Sequence, residues 1–442
     1  MPPGGAQVLW QASAMVSCAE DLAFRGLVYQ TSDPALLEML DDGGLTLYVG
    51  FDPTADSLHA GNLLQLCLLR RLQLGGHRPI VVAGGGTGRI GDPGGKDAER
   101  PMLTSEQVRA NLEGIGPQLE RFLDFSEAAG PRRALMLDNA GWLDGLALVD
   151  FLRDVGKHFT VNQMVAKESV RNRFERADQG ISFTEFAYML VQAYDFLTLF
   201  DRYGCTVQLG GSDQWGNIVT GVELIRRARG EVAYACTTPL VTKADGTKFG
   251  KSESGAVWLD AAKTSPYAFY QFFLRTEDAV VGTYLRMFSF LDHEEILALE
   301  AATAERPHER EAQRALARAV TTLVHGAGET ERVEQAAATL YGEDVVTLDE
   351  ATLLMVVDDA PVTALSRAEL DAGELDVAAV LAAAGLSPSR GAARQAISQG
   401  GAYVNNRRVP VGGAVLTPDD LVAGSYVLVR RGRRDLRLLR FT

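Results

Sequence analysis

Residues 45–74 read LTLYVGFDPTADSLHAGNLLQLCLLRRLQL, and this stretch decides the fold. Its apolar run at 45–51 ends at Asp52 and Pro53, a polar loop follows, and apolar residues return at three- and four-residue spacing over 63–72. A short apolar run is typical of a buried strand, and the longer spacing is typical of a helix. The stretch therefore predicts a strand, a loop and a helix in that order.

The loop lies at the N-terminus of the predicted helix, where unpaired backbone N–H groups favour an anion. His59 falls beside the first turn, and Gly61 allows a ligand to come close to the backbone. An isolated H-x-G is more often an ordinary turn than a binding site. If this loop binds a ligand, its chemistry favours the phosphates of a nucleotide.

The residues from Tyr48 to Asn62 follow the order Y-x-G-F-D-P-T-A-x-S-L-H-x-G-N. This order resembles the first signature of class I aminoacyl-tRNA synthetases, in the form found in the tyrosyl enzymes. Many class I enzymes have a second histidine where this chain has Asn62. Asparagine can still donate a hydrogen bond to ribose, so we expect this difference to tune the activity and not to abolish it. The resemblance implies that ATP is contacted, or charge on its phosphates stabilised, by Gly50, Asp52, Thr54, His59, Gly61 and Asn62.

The composition is that of a globular protein with more than one domain. The chain has 442 residues, of which 46% are hydrophobic and 23% charged, and this length predicts two or three domains. No apolar run is long enough for a membrane span, and the first residues lack the regions of a signal peptide, so we expect a cytoplasmic protein. The four cysteines are far apart, which favours reduced thiols over disulfides or a zinc site.

The charge is distributed unevenly along the chain. A formal net charge of −14 argues against a protein that coats nucleic acid without selectivity. Residues 341–376 contain ten acidic residues and one arginine, whereas residues 387–442 contain ten arginines and three aspartates. A basic segment behind an acidic one indicates a separate module that binds a polyanion.

Further patterns predict a Rossmann-like, doubly wound α/β domain with a parallel sheet. Ligands of such sheets bind beyond the carboxyl ends of the strands. The additional strands are predicted at 79–84, 133–137 and 205–209, and the helices near 105–124, 146–157, 183–202 and 213–229.

From about residue 263 the strand patterns stop and helical periodicity begins. The C-terminal part resembles a small RNA-binding domain named for a protein of the small ribosomal subunit. The predicted organisation is a loose leader at 1–20, the Rossmann-like catalytic domain at 21–262, a helical anticodon-side domain at 263–340, an acidic linker at 341–373 and a small α+β RNA-binding domain at 374–442.

Residues 86–91 read GTGRIG and match the G-x-G-x-x-G pattern of dinucleotide-binding proteins. That interpretation needs a helix to begin inside the pattern, but Asp92 is followed by Pro-Gly-Gly, which keeps the chain in a loop. A hydride-transfer enzyme is therefore the weaker alternative. The segment resembles a stretch of the tyrosyl synthetases, which implies that Asp92 binds the substrate amino group and that Lys96 and Arg100 reach the pyrophosphate from a mobile loop.

Residues 243–252 read KADGTKFGKS. Two lysines three residues apart in such a loop are, taken alone, more often a surface turn than a site. The segment resembles the K-M-S-K-S signature of class I synthetases, and this implies that Lys248, Lys251 and Ser252 stabilise the transferring phosphate and bind ATP.

Tyr188, Gln192 and Asp195 lie four and three residues apart, so they share one face of a predicted helix. Such a polar stripe is usually the solvated side of a helix, but this one interrupts an apolar sequence, which favours a pocket lining. The resemblance implies that Tyr188 and Gln192 hold the amino group of tyrosine, and that Asp195 with Tyr48 bonds its phenol. It also places Asp213 and Gln214 on the side of the site where the ribose of ATP and the carboxylate of tyrosine lie.

The resemblance covers the chain from about residue 27 to its end. It implies an enzyme that activates L-tyrosine with Mg-ATP and transfers it to tyrosine tRNA, with no organic cofactor and no metal held by the protein. It further implies a homodimer that does not associate with membranes. Two alternatives remain open: a tryptophanyl-type synthetase, and a catalytically weak RNA-binding protein on a synthetase scaffold.

Overall fold

The computed structural model describes residues 16–92, 103–167, 170–171, 181–247, 249–252, 255–341, 343–357, 361–432 and 435–442. The described residues form two compact units, which we treat separately. The first unit contains the residues up to 264 and residues 272–324. The second unit contains residues 265–271 and 325–442.

The first unit is built on a six-stranded sheet. Its strands are β1 (Gln30–Thr31), β2 (Thr46–Phe51), β3 (Arg78–Ala83), β4 (Leu135–Asp138), β5 (Cys205–Gly211) and β6 (Tyr234–Thr238), and a hairpin of β7 (Lys251–Ser252) and β8 (Gly255–Ala256) lies outside it. The order is β1-β6-β5-β2-β3-β4, and all neighbours are parallel except β1 and β6. The predicted parallel sheet is confirmed.

Strand β2 lies at the point where the chain order reverses, because β3 pairs with one of its sides and β5 with the other. In open α/β sheets a crevice forms at such a point, outside the carboxyl ends of the strands. The polar loop that follows β2 therefore begins at the position where a ligand site is expected.

Helices cover both faces of the sheet. They are α1 (Cys18–Phe24), α2 (Ala35–Asp42), α3 (Leu63–Leu74), α4 (Ser105–Phe122), α5 (Ala140–Leu143), α6 (Leu148–Asp154), α7 (Val161–Val165), α8 (Phe183–Tyr203) and α9 (Trp215–Arg229). Helix α1 begins within the predicted leader, because Ser17 and Glu20 form a capping box at its start. Residues 1–15 lie outside the described part of the chain.

The long helix α8 has sequence signals at both ends. Ser182 accepts a hydrogen bond from the Glu185 N–H, and the helix ends at Gly204 with a φ of 64°. Its buried face packs Phe196 and Ala193 into a core that also contains Tyr48 of β2. This packing fixes helix α8 against strand β2.

The predicted helical region follows the sheet. Its helices are α10 (Pro266–Leu274), α11 (Asp278–Phe288), α12 (His293–Glu305), α13 (Glu311–His325) and α14 (Ala327–Tyr341). In the parts of the chain that the structure covers, no helix is long and apolar enough to cross a membrane.

The second unit contains a five-stranded sheet of order β11-β10-β12-β13-β9. Its elements are α15 (Glu350–Val356), β9 (Val362–Leu365), α16 (Arg367–Asp371), α17 (Val377–Ala383), α18 (Arg390–Ser398), β10 (Ala402–Val404), β11 (Arg407–Arg408), β12 (Tyr426–Arg431) and β13 (Asp435–Phe441). Strand β9 pairs in parallel with β13, so this part of the predicted linker at 341–373 belongs to the sheet. The linker prediction is wrong there, because four residues of mixed polarity carry almost no periodic signal.

Candidate active site

The loop after β2 holds His59 in one orientation. His59 caps a short 3-10 turn: its Nδ1 accepts a hydrogen bond of 3.1 Å from the Gly61 N–H, and its own N–H donates to Asn62 Oδ1 at 3.1 Å. An imidazole that accepts through Nδ1 carries its proton on Nε2 when neutral. His59 can therefore donate a hydrogen bond through Nε2.

Asn62 uses its side-chain oxygen for this cap, which leaves the amide nitrogen as its donor. Thr54, in the same loop, is exposed, and its backbone N–H donates to the Asp52 carbonyl at 2.9 Å. A Cβ added at Gly50 would meet no atom within 4 Å, so open space adjoins the end of β2. The loop thus combines polar donors with room for a ligand.

Asp195, on helix α8, is buried and only 3% exposed. Its two carboxylate oxygens accept hydrogen bonds from Trp142 Nε1 at 2.7 Å and from Asn139 Nδ2 at 3.0 Å. Burial raises the pKa of Asp195 to about 7, although these two hydrogen bonds act to lower it. A carboxylate oxygen can accept two hydrogen bonds, so each oxygen retains acceptor capacity for a substrate.

Tyr48 points into the same region from β2. It is 2% exposed, and its hydroxyl has no hydrogen-bond partner among the residues that the structure describes. Burial, followed by the charge of Asp195, raises the pKa of Tyr48, so its hydroxyl is a donor at neutral pH. A buried polar group without a partner is costly, and a ligand hydroxyl would remove that cost.

Further polar side chains gather around Asp52 and Asp92. Asp52 accepts hydrogen bonds from Tyr188 Oη at 2.9 Å and from Thr87 Oγ1 at 2.8 Å. Asp92, which is 9% exposed, accepts one of 2.6 Å from Gln214 Nε2. Two carboxylates in this region favour a bound ammonium group through Coulomb attraction.

Asn217 contacts this group of side chains. Its Nδ2 lies 3.1 Å from Gln192 Oε1 and 3.4 Å from Asp92 Oδ1. The sequence patterns assigned no role to Asn217, nor did they single out Asn139, Trp142 or Thr87. Of these, Asn139 could have been found, because it directly follows β4 at the carboxyl edge of the sheet.

The glycines before Thr87 serve close packing. A Cβ would overlap Asp52 at Gly84 and Asp138 at Gly85, and at Gly86 it would lie 2.7 Å from Leu143. Within the described residues up to 92, the segment forms only a 3-10 turn, Thr87–Arg89. The dinucleotide-binding alternative lacks the helix that it requires.

The second lysine-containing loop is described in part. Lys96, Arg100 and Lys248 lie outside the described residues, and of Lys251 and Ser252 only the backbone is described, as strand β7. Gly250 has a φ of 87°, and a Cβ added there would lie 2.8 Å from the Gly61 nitrogen. The two signature loops therefore meet at a pair of glycines.

Phe249 anchors this loop in the first unit. Its ring contacts those of Tyr284 and Phe288, with centroid distances of 4.9 and 5.2 Å. Asp213, the last of the predicted ATP contacts, is exposed in a 3-10 turn that follows β5. The structure thus brings the described site residues to one edge of the sheet.

Comparison with known proteins supports one family over nearly the whole chain. Residues 41–342 match the family model for tRNA synthetases class I (W and Y), and residues 356–439 match that for the tyrosine–tRNA ligase SYY-like C-terminal domain. A tyrosine–tRNA ligase of Roseiflexus castenholzii is 52% identical over 96% of this chain and 100% of its own length. One from Bacillus caldotenax is 49% identical over 95% of this chain and 99% of its own.

A solved structure agrees with these matches. The C-terminally truncated mitochondrial tyrosyl-tRNA synthetase of Aspergillus nidulans superposes with a TM-score of 0.65 at 34% sequence identity. The match covers 74% of this chain and 94% of that one.

Proposed function

The chain belongs to the tyrosine–tRNA ligase family of class I aminoacyl-tRNA synthetases, and from this premise we propose a role for each part of its site. The enzyme activates L-tyrosine with ATP to tyrosyl-adenylate and pyrophosphate, and then transfers tyrosine to the 3′ end of its tRNA. In the first step a carboxylate oxygen of tyrosine bonds to the α-phosphorus in line, as the bond from that phosphorus to pyrophosphate breaks. The step requires no protein nucleophile.

The observation that carries our assignment of the amino-acid pocket is the buried pair of Tyr48 and Asp195. The substrate phenol donates a hydrogen bond to Asp195 and accepts the hydrogen bond of Tyr48 Oη, which has no partner among the described residues. Asn139 and Trp142 hold Asp195 from the other side. An amino acid without a hydroxyl leaves both buried groups unsatisfied, so the pair rejects phenylalanine.

The opposite end of the pocket binds the α-amino group. Asp92, Tyr188 and Gln192 contact the ammonium, and Gln214 lies on the carboxylate side. Asn217 contributes by fixing Gln192 and Asp92 in one arrangement. The two ends together require a substrate with a phenol at one terminus and an ammonium at the other.

The residues around ATP stabilise the negative charge that develops during the reaction. The transferring phosphorus and the departing pyrophosphate gain negative character, and donors that meet it only in the transition state raise the rate. Mg-ATP is the substrate, and the magnesium ion arrives with it. The proposed charge-stabilising residues are Thr54, His59, Asn62, Lys96, Arg100, Lys248, Lys251 and Ser252, and the proposed ATP contacts include Gly50, Asp52, Gly61 and Asp213.

The experiment that tests these assignments is amino-acid-dependent ATP–pyrophosphate exchange with tyrosine, phenylalanine and tryptophan. We expect exchange with tyrosine alone at micromolar concentrations. Preference for tryptophan would contradict the role of Tyr48 and Asp195. Absence of exchange with all three would favour the RNA-binding scaffold.

The C-terminal module, which we extend to include β9, binds the tRNA. Four of its arginines, Arg390, Arg394, Arg407 and Arg408, are exposed. Replacing all four with alanine should leave adenylation unchanged and weaken tRNA binding. The slope of log K against log salt should also become shallower by about 0.7 to 0.9 for each phosphate that the variant no longer neutralises. Normal charging at physiological salt would contradict this role.

Because tRNA is charged where ribosomes use it, we place the enzyme in the cytoplasm.

An apolar surface on the first unit supports a homodimer. Phe183, Val149 and Leu148 are 78%, 72% and 70% exposed, and Leu152 and Val161 are also exposed. Single exposed apolar residues are ordinary, but five of them on α6, α7 and the start of α8 favour an interface. Phe183→Glu should produce monomers in analytical ultracentrifugation, whereas Val411→Glu, at a residue 73% exposed in the second unit, should not. A Phe183→Glu protein that sediments like the parent would contradict this interface.

A further inference from the structure

One face of helix α4 contacts the loop that leads to His59. Asn111, Gly114 and Gln118 lie three and four residues apart and therefore share that face. Asn111 Nδ2 donates to the Pro53 carbonyl at 2.8 Å. At Gly114 a Cβ would overlap the Asp56 carbonyl oxygen, so the helix touches the loop backbone directly.

Gln118 makes the contact nearest to His59. It is 8% exposed, its Oε1 accepts the Leu58 N–H at 3.0 Å, and its Nε2 donates to Ser57 Oγ at 3.1 Å. Leu58 directly precedes His59. Loss of the Gln118 amide would leave a buried backbone donor without this partner, and the cost of that favours a displaced loop.

The other side of the loop is also fixed. Residues 257–260, which follow hairpin β7–β8, run antiparallel to it: Leu259 N–H donates to the Leu58 carbonyl and Ala60 N–H to the Val257 carbonyl, both at 2.8 Å. Leu58 therefore has its N–H held by α4 and its carbonyl held by this segment. The residue before His59 is clamped from both sides.

We propose that Gln118 is a positioning residue for adenylation, which aims His59 by fixing the backbone of Leu58. The proposal rests on the charge-stabilising role of His59 given above. A donor stabilises a transition state only if it lies within hydrogen-bond reach of the atom where charge develops. A small displacement of the loop therefore lowers the rate while leaving the tyrosine pocket intact.

The test is a double-mutant cycle on the rate of adenylation at saturating tyrosine and ATP. Gln118→Leu should lower this rate about tenfold in the parent enzyme and by less than about twofold in His59→Ala, because there is then no His59 to position. Tyrosine affinity should be unchanged by Gln118→Leu. Equal rate losses in both backgrounds would overturn the proposal, as would a parent-like rate for Gln118→Leu.

Gln73 provides a matched control. It is 2% exposed, and its amide donates to the Asp124 and Arg132 carbonyls and accepts the Asp124 N–H, away from the loop. Gln73→Leu should lower thermal stability as Gln118→Leu does, without changing the adenylation rate. A Gln73→Leu enzyme with the same rate loss would show that the effect is one of general stability, and would overturn the proposal.

Two further results separate this inference from the proposed function. A normal rate for His59→Ala alone would refute the role of His59, whatever Gln118 does. If Gln118→Leu does not fold, Ser57→Ala removes the hydroxyl that Gln118 Nε2 contacts, and the same cycle with His59→Ala should show a smaller rate loss with the same dependence on His59.

Discussion

The two ends of the active site are built differently. The proposed tyrosine end is formed by buried side chains on regular elements: Tyr48 on strand β2 and Asp195 on helix α8, with exposed fractions of 2% and 3%. The nucleotide end is formed by loops, in which Thr54 and Asp213 are exposed. Under the proposed assignments, substrate choice depends on groups fixed before binding, whereas the rate depends on groups that engage charge as it develops.

The largest expected effect tests the nucleotide end. Lys251→Ala should lower the adenylation rate by about 10²–10³ while tyrosine affinity barely changes, because the lysine meets charge that exists only in the transition state. Pre-steady-state adenylation and equilibrium binding of tyrosine measure the two quantities separately. Equal losses in both would show that the two ends of the site do not divide their work in this way.

The next effect tests the tyrosine end. Asp195→Asn should lower kcat/KM for tyrosine by about 10² and leave the low value for phenylalanine nearly unchanged, because a charge-assisted hydrogen bond to the phenol is lost. Asp201, on the same helix, pairs with Arg229 at the surface, so Asp201→Asn is the matched control and should behave like the parent. Unchanged selectivity in Asp195→Asn would remove Asp195 from the phenol site.

Much of this division was predictable from sequence. The parallel sheet and α8 were predicted because apolar spacing persists over many residues. The caps at both ends of α8 in the structure agree with that pattern. The face shared by Tyr188, Gln192 and Asp195 followed from helix geometry alone. Local patterns of this kind determine which side chains of one element lie together.

Contacts between distant elements were not predictable in the same way. Trp142 reaches Asp195 across 53 residues, and Gln118 reaches Leu58 across 60, and neither spacing has any local signal. Strand β9 was missed for a related reason, since its partner β13 lies more than seventy residues away. Such residues emerge only when the fold brings their elements together.

A smaller effect concerns the charge of the tyrosine end. Burial raises the pKa of Asp195 to about 7, and the Trp142 N–H acts to lower it, so Trp142→Phe should raise that pKa further. The charged carboxylate accepts a stronger hydrogen bond from the phenol than the neutral acid does, so tyrosine binding should tighten as pH rises through this pKa. At pH 7 the variant should bind tyrosine about five- to tenfold more weakly than the parent, and this ratio should fall as pH rises toward 9.

Calorimetric titration of tyrosine between pH 6 and pH 9 measures the shift in the midpoint. A loss of affinity that is the same at every pH would mean that Trp142 shapes the pocket without affecting the charge of Asp195. The nucleotide end provides the contrast, since the affinity for ATP should show no matching shift.

The smallest expected effect on activity comes from Tyr48→Phe, which should also change the stability of the free enzyme. Tyr48→Phe removes one neutral hydrogen bond to the phenol, worth about 0.5–1.5 kcal/mol, so kcat/KM for tyrosine should fall by about two- to tenfold. The same change removes a buried hydroxyl that has no partner among the described residues of the free enzyme. Because such a group costs about 1–3 kcal/mol, the free variant should unfold at a higher temperature than the parent.

Tyr188→Phe is the control for this last prediction, because the Tyr188 hydroxyl already donates to Asp52 at 2.9 Å in the free enzyme. Its removal should lower the unfolding temperature, opposite in sign to the change from Tyr48→Phe. Differential scanning calorimetry without and with saturating tyrosine measures both variants. If Tyr48→Phe also unfolds at a lower temperature, the Tyr48 hydroxyl has a hydrogen-bond partner in the free protein. Selectivity for tyrosine would then not depend on a buried hydroxyl that gains its partner only when the substrate binds.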